Sequence, residues 1–293
     1  MTWIQIKFDV DADHADAIAD ALQDLGADAV TFEDAADQPV YEPDPGEVRL
    51  WRSTRVVGLF PEQTDADAIV AAINAQTKPA VIRAHLVEAV PDKDWVRASL
   101  EHFKPLRCGE RLWICPTWHT PPDPTAVNVM LNPGLAFGTG GHPTTALCLE
   151  WLDAHRQDGN RVLDFGCGSG ILAVAAALLG AVQVDVVDHD PQAIEATQSN
   201  AQINAVGERL HVTTAAALLP NSYQTILANI LAEPLVQLAP RFASWLQPRG
   251  DVVLSGILTE QQAIIVTAYQ PWFKIMSISE RENWLCITAR RIT

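Results

Sequence analysis

Residues 162–170 read Val-Leu-Asp-Phe-Gly-Cys-Gly-Ser-Gly and lead straight into the apolar stretch 171–179. A short aliphatic strand, a glycine turn and a helix start therefore lie in one line. Glycines such as Gly166 and Gly168 let the backbone pass close to a ligand, and the first turn of a helix points unpaired N–H groups into the same space. A glycine turn that only closes a strand–helix unit uses the same letters, so the context has to decide. The spacing is GxGxG, and Ile171 stands where a pyrophosphate-seating GxGxxG would have its last glycine. A ribose needs a carboxylate about 20 residues further on, at the end of the next strand. Asp188 is 22 residues beyond Gly166 and closes the aliphatic run 184–187. Asp190 is its rival, but it precedes Pro191, and Asp before Pro is the pattern of a helix cap and first turn. Asp188 is thus assigned to ribose and Asp190 to structure. No Lys or Arg lies between Gly166 and Asp190, so an adenosine without phosphate fits better than a dinucleotide.

Two more segments carry candidate chemistry. Asn229 follows the fourth aliphatic run of this half, at the carboxyl edge where open parallel sheets bind ligands. An Asn there also suits a simple cap or turn. Upstream, residues 132–145 (NPGLAFGTGGHPTT) are glycine-rich and then helical through 146–152. Pro143 at a first helical turn accounts for His142 and Thr144 near a cap, whereas Phe137 and Thr139 among the glycines suit a lid over a ligand.

The elements that position these residues follow from periodicity. Ile4, Ile6, Phe8 and Val10 alternate with polar residues as in a half-buried strand. Ala15, Ile18, Ala19, Leu22 and Leu25 recur at helical spacing, with Gly26 as the carboxy-terminal cap and Asp on the other face. Residues 29–33 and 48–60 read as strands, 64–76 as a helix opened by a Thr64/Asp67 capping box, and 81–87 as a strand. That order, β-α-β-β-α-β, is ferredoxin-like. Residues 91–104 read as a linker with a short helix carrying Trp95, Leu100 and Phe103, followed by a strand at 111–115 and a Pro-rich stretch at 116–124. From residue 161, strands at 162–164, 184–187, 210–213, 225–228 and 252–255 alternate with helices, which predicts a parallel sheet with crossover helices. The runs 273–278 and 284–289 are too close for a crossover and predict an antiparallel hairpin ending that sheet.

Length and composition bound the reading. A chain of 293 residues suggests two domains, and 48% hydrophobic content with nine Trp and eight Phe supports large cores. The net charge of −16 disfavours phosphate backbones and anionic membranes as partners. Residues 1–50 alone carry −11, so the amino-terminal part is a candidate docking face for a cationic partner; a solvated, solubilising face explains the same charge. Residues 1–16 lack the basic start and apolar centre of a secretory signal, and the longest apolar run, 171–182, is short of the ~20 residues of a membrane helix. Both features are expected of a cytoplasmic protein. Five cysteines without a CxxC pair suggest reduced thiols, with neither disulfides nor a metal site.

Taken together, residues 132–145, 162–170, 187–191 and 229–231, with Asp92-Lys93-Asp94-Trp95 and Glu110-Arg111-Leu112-Trp113-Ile114, resemble the class I S-adenosylmethionine-dependent methyltransferases. They closely resemble the PrmA family, which methylates protein L-eleven of the large ribosomal subunit. Asn132, Gly141 and Ser99 depart from the residues that family more often carries there. The resemblance implies an α/β Rossmann-like, mostly parallel sheet with an antiparallel terminal hairpin, preceded by a ferredoxin-like α+β domain. It implies domains at 1–90 (substrate recognition), 91–120 (linker) and 121–293 (catalysis). It implies S-adenosyl-L-methionine held at Thr145, Gly166, Gly168, Asp188 and Asn229, without a metal. The acceptors would be Lys ε-amines and the terminal amine of protein L-eleven, free or on the ribosome, with no direct nucleic acid or membrane partner. Asn229 would orient the amine while Phe137 and Thr139 close over it; no residue stands out as a general base. The cofactor motifs do not encode the acceptor, so RNA or a small molecule is an alternative substrate. A non-catalytic nucleoside-binding module is another reading, and a nicotinamide dehydrogenase is disfavoured by GxGxG.

Overall fold

A computed structural model describes residues 3–36, 38, 50–77, 81–90, 103–132 and 138–292. The chain divides into two compact units, Met1–Leu100 and Glu101–Thr293. Most of the linker segment 91–104, including Trp95 and Leu100, lies outside the described residues.

The first unit is built from β1 (Trp3–Asp11), α1 (Ala12–Asp24), β2 (Ala29–Asp34), β3 (Ser53–Pro61), α2 (Ala66–Gln76) and β4 (Ala84–Val90). Its sheet has the order β2-β3-β1-β4 with every neighbouring pair antiparallel, which is the ferredoxin-like arrangement. The alternation in β1 sends Ile4, Ile6, Phe8 and Val10 into a core shared with Ile18 and Leu22 of α1 and Ile69 and Ile73 of α2. The opposite face carries paired charges, with Arg55 bidentate on Asp9 at 2.6 and 2.8 Å and Lys7 on Glu88 at 2.7 Å. Gly26, at φ +91°, ends α1 as its spacing predicts. Two details differ. The cap of α2 is Asp65, whose carboxylate accepts the Ala68 N–H, and not a Thr64/Asp67 box. The last strand starts three residues later than its apolar run, because Val81 and Ile82 pack against the core edge before β4 pairs with β1.

The second unit begins earlier than residue 121. It already holds β5 (Leu106–Cys108), β6 (Leu112–Pro116) and β7 (Val127–Leu131), a three-stranded sheet of which only β6 stands out in the sequence. The rest comprises α3 (Pro143–Ala154), β8 (Arg161–Phe165), α4 (Ile171–Leu178), β9 (Gln183–Val187), α5 (Pro191–Ile203), β10 (Leu210–Val212), β11 (Tyr223–Asn229), α6 (Ala232–Trp245), β12 (Leu246–Leu258), α7 (Gln262–Tyr269), β13 (Phe273–Arg281) and β14 (Trp284–Arg291). These strands form one seven-stranded sheet, ordered β10-β9-β8-β11-β12-β14-β13. The first five are mutually parallel, and the β13–β14 hairpin joins β12 antiparallel at the sheet's end. Helix α4 is apolar on all sides, and its residues 171–177 are all buried between the sheet and α3, α5 and the small sheet. Helices α6 and α7 cover the other face, where Phe242, Trp245, Tyr269 and Phe273 pack. All five thiols, Cys108, Cys115, Cys148, Cys167 and Cys286, are buried in this unit. No helix among the described residues is long and apolar enough to cross a membrane.

The free edge of β7 is completed by side chains rather than by a strand. Asn204 of the turn after α5 accepts the Met130 N–H at 2.8 Å and returns a hydrogen bond to the Met130 carbonyl at 2.7 Å. Asn200 repeats this with Asn132 at 2.9 and 3.3 Å. The match is geometric: the four helical residues from Asn200 to Asn204 rise about 6 Å, close to the ~6.6 Å between alternate residues of a strand.

A bulge near the end of β12 slips its pairing with β14 between Leu254 and Ile257. Gly256 there has φ +82°, and a Cβ on it would lie 2.2 Å from the Ile230 carbonyl oxygen. Gly256→Ala should therefore combine backbone strain with a backbone clash. An urea-unfolding loss above about 3 kcal/mol is expected. Gly207→Ala, in open space, should change stability by less than about 1 kcal/mol.

Candidate functional site

The order of the large sheet reverses between β8 and β11, and the chain leaves both at their carboxyl ends on the same side. After β8, the loop 166–170 turns back toward the end of β9. The N–H groups of Gly166 and Cys167 both donate to the Val187 carbonyl, at 2.7 and 3.2 Å. The Gly168 N–H donates to Asp188 Oδ2 at 2.9 Å, and the Asp190 N–H donates to Asp188 Oδ1 at 3.0 Å. His189 Nδ1 also lies 3.4 Å from Oδ1, and Oδ2 keeps a second acceptor position. Asp190 caps α5 by accepting the Gln192 N–H at 2.8 Å, the structural role its Pro neighbour predicts. Gly166 has φ +79°, and any Cβ would sit 2.3 Å from Ile230 Cγ2, so its backbone packs directly against the segment after β11.

These strand ends surround a cavity of about 840 Å³. Gly166, Asp188 and Asn229 line it, together with His142, Thr144 and Trp284. No Lys or Arg is among the described residues of its lining. Thr145 stands behind the wall: it is buried, and its hydroxyl accepts the Asn229 Nδ2 hydrogen bond at 3.2 Å. Gly168 likewise stands behind Asp188. Thr139 is half-buried and is not among the described lining residues, and Phe137 lies outside the described residues. His142 is the N-cap of α3, its Nδ1 2.7 Å from Thr144 Oγ1, and its ring meets Trp284 edge-on at 5.1 Å. Positive φ at Glu282 and Asn283 makes the two-residue turn that delivers Trp284 from β13 back to this wall.

Beneath the glycine loop, Asp164 of β8 is fully buried. Its Oδ2 accepts the Ala173 N–H of α4 at 3.0 Å, while Oδ1 has no hydrogen-bond partner among the described residues. Burial pushes its carboxyl up to about 7; the Ala173 bond opposes this, and the nearby Asp188 charge adds to it. Burial also pushes the Cys167 thiol up to about 12, so it is no candidate nucleophile. Sequence reading missed Asp164, Gly256, His142, Thr144 and Trp284 as parts of this site. Only the last three touch the cavity through side chains brought from residues 142–144 and 284, and no local pattern links them.

The arrangement fits a nucleoside-bearing cofactor without phosphate: an acceptor position on Asp188 for hydroxyls, a glycine backbone at the wall, and no Lys or Arg among the described lining residues. The model of the family described as "Ribosomal protein L11 methyltransferase (PrmA)" matches residues 2–292. A ribosomal protein L11 methyltransferase of Marinobacter nauticus is 50% identical over 296 residues, covering 99% of each chain. Its counterpart from Actinobacillus pleuropneumoniae serotype 5b is 50% identical over 290 residues, 98% of this chain and 99% of its own. The crystal structure of a ribosomal protein L11 methylase from Lactobacillus delbrueckii subsp. bulgaricus superposes with TM-score 0.60 at 32% identity, covering 65% of this chain and 100% of that one. The large sheet is accordingly the Rossmann-like sheet of a class I methyltransferase, and the chain belongs to the ribosomal protein L11 methyltransferase family.

Proposed function

We propose that this protein transfers methyl groups from S-adenosylmethionine to the Lys ε-amines and terminal amine of ribosomal protein L11, in the cytoplasm. The observation that carries this reading is the meeting of Gly166, Asp188 and Asn229 in one cavity with no Lys or Arg among its described lining residues. Asp188 would hold the ribose hydroxyls through its remaining acceptor position, with Gly166 and the braced Gly168 against the cofactor. When bound, the cofactor would supply an electrophilic sulfonium methyl, transferred in line to the amine nitrogen as the sulfur leaves as a neutral thioether. The chain's task is then alignment at about 3–3.5 Å and exclusion of water. An amine must be neutral to attack, and a solvated Lys is not, with an ordinary pKa of about 10.4. The largely apolar cavity disfavours the ammonium form. Asn229 commits Nδ2 to Thr145, which leaves Oδ1 to accept an N–H from the amine and aim its lone pair. Thr139 would close this end, with Phe137 outside the described residues. The acidic first unit would recognise the substrate, since Asp16, Asp20 and Asp24 form an exposed row at helical spacing on α1.

Three outcomes are expected. Asp188→Ala should raise the calorimetric Kd for S-adenosylmethionine by about 10- to 100-fold, the size of losing one charged hydrogen bond. Asn229→Ala should instead act mainly on turnover, lowering kcat about 100-fold; full activity in that variant would sink the assignment. Replacing Asp16, Asp20 and Asp24 by Asn should weaken binding to ribosomal protein L11 and flatten its salt dependence, whereas unchanged binding would place docking elsewhere.

Asp164 gives the site a pH signature. Its carboxyl is raised in the folded chain to about 7, against about 3.9 when unfolded. The folded state therefore holds the proton more tightly. The associated stability is complete below about pH 4 and is lost as pH rises through about 7. Asp164→Asn, measured by urea unfolding, should gain stability relative to the parent between pH 5 and pH 8. A constant difference across that range would contradict the assignment.

A further inference from the structure

Helix α5 presents a buried polar stripe that the methyl-transfer reading does not use. Thr197 Oγ1 donates to the Gly168 carbonyl at 3.0 Å, and one turn later Asn200 Nδ2 donates to the Ser169 carbonyl at 2.9 Å. Both residues are 1% exposed. Asn200 therefore grips the glycine loop with the same side chain whose Oδ1 holds the Asn132 N–H. Ser169, itself fully buried, turns its hydroxyl the other way and donates to the Gly138 carbonyl at 2.6 Å. Asn132 and Gly138 lie on either side of residues 133–137, and both anchors converge on the loop that carries Gly166. These bonds are buried, so losing a donor leaves the facing carbonyl unsatisfied and free to shift.

We propose that Ser169 and Asn200 are positioning residues that register the chain at Asn132 and Gly138 against the cofactor loop. The proposal rests on the methyl-transfer reading for its kinetic consequence. Neither residue is among the described residues of the cavity lining, so both are argued to act through the loop that carries Gly166. Their effect is on alignment, in which an error near 1 Å can cost about 100-fold in rate. Asn204 is the internal control. It makes the same pair of bonds to Met130 and also donates to the Asn200 carbonyl at 2.8 Å, but among the described residues its side chain has no hydrogen bond to the glycine loop or to Gly138.

The test compares Ser169→Ala, Asn200→Asp and Asn204→Ala in the full chain with S-adenosylmethionine and ribosomal protein L11. Asn200→Asp keeps an acceptor for Asn132 and loses both donated bonds; Ser169→Ala removes only the hydroxyl. The expected result is a kcat loss of about tenfold or more in Ser169→Ala and Asn200→Asp, with cofactor Kd within about threefold of the parent. Asn204→Ala should keep kcat within about twofold while lowering the urea midpoint. Hydrogen exchange gives a readout independent of turnover and of the acceptor: amides of residues 138–140 should exchange faster in Ser169→Ala, with those of β8 unchanged. Parental kcat in a folded Ser169→Ala, an equal kcat loss in Asn204→Ala, or unchanged exchange at 138–140 would overturn the proposal. Absence of turnover in the parent protein would count against the methyl-transfer reading alone, and the exchange result would still decide the registration.

Discussion

Gly168 and Asp188 belong to different strand–helix units, and the hydrogen bond from the Gly168 N–H to the Asp188 carboxylate joins them at one end of the sheet. The rest of the site depends on that bond. It bends the loop after β8 over the end of β9 and fixes the carboxylate while leaving an acceptor position open. It also holds a negative charge close to buried Asp164, which contributes to that residue keeping its proton near neutrality. The backbone N–H groups of Gly168 and Asp190 orient this carboxylate at the cavity wall, where no Lys or Arg is among the described lining residues.

Close backbone packing supplies the second constraint. Ile230 is squeezed between Gly166 and Gly256, with its side chain against the first and its carbonyl against the second. The ends of β8, β11 and β12 therefore touch where larger residues could not stand. The bulge in β12 and the tight turn before Trp284 re-aim the antiparallel end of the sheet toward the cavity. What is otherwise a parallel α/β sheet thereby gains an aromatic wall from its added hairpin.

Much of this was legible in the residues. Alternation in β1 and the 3.6-residue spacing of α1 report burial directly, as do the short aliphatic runs that became β8, β9, β11 and β12. The glycine turn, Asp188 and the capping role of Asp190 could be placed because each depends on its immediate neighbours. Trp284 and His142 could not, since their meeting is set by strand order over more than 140 residues. The small sheet was largely hidden: β5 and β7 are short, and the free edge of β7 is satisfied by Asn200 and Asn204, about 70 residues away. The choice between Thr64 and Asp65 as a cap turned on one residue of phase, which composition does not resolve.

Every cysteine lies in the second unit, buried in β5, β6, α3, the glycine loop or β14. Alkylation requires an exposed thiolate, so a maleimide added to the native chain reacts only when one of these segments opens. Labelling rates resolved by peptide would then form a map of local breathing across the second unit, with the acidic first unit, which holds no cysteine, silent to the reagent. Cys167 would report from the cofactor loop itself, without any probe having been introduced.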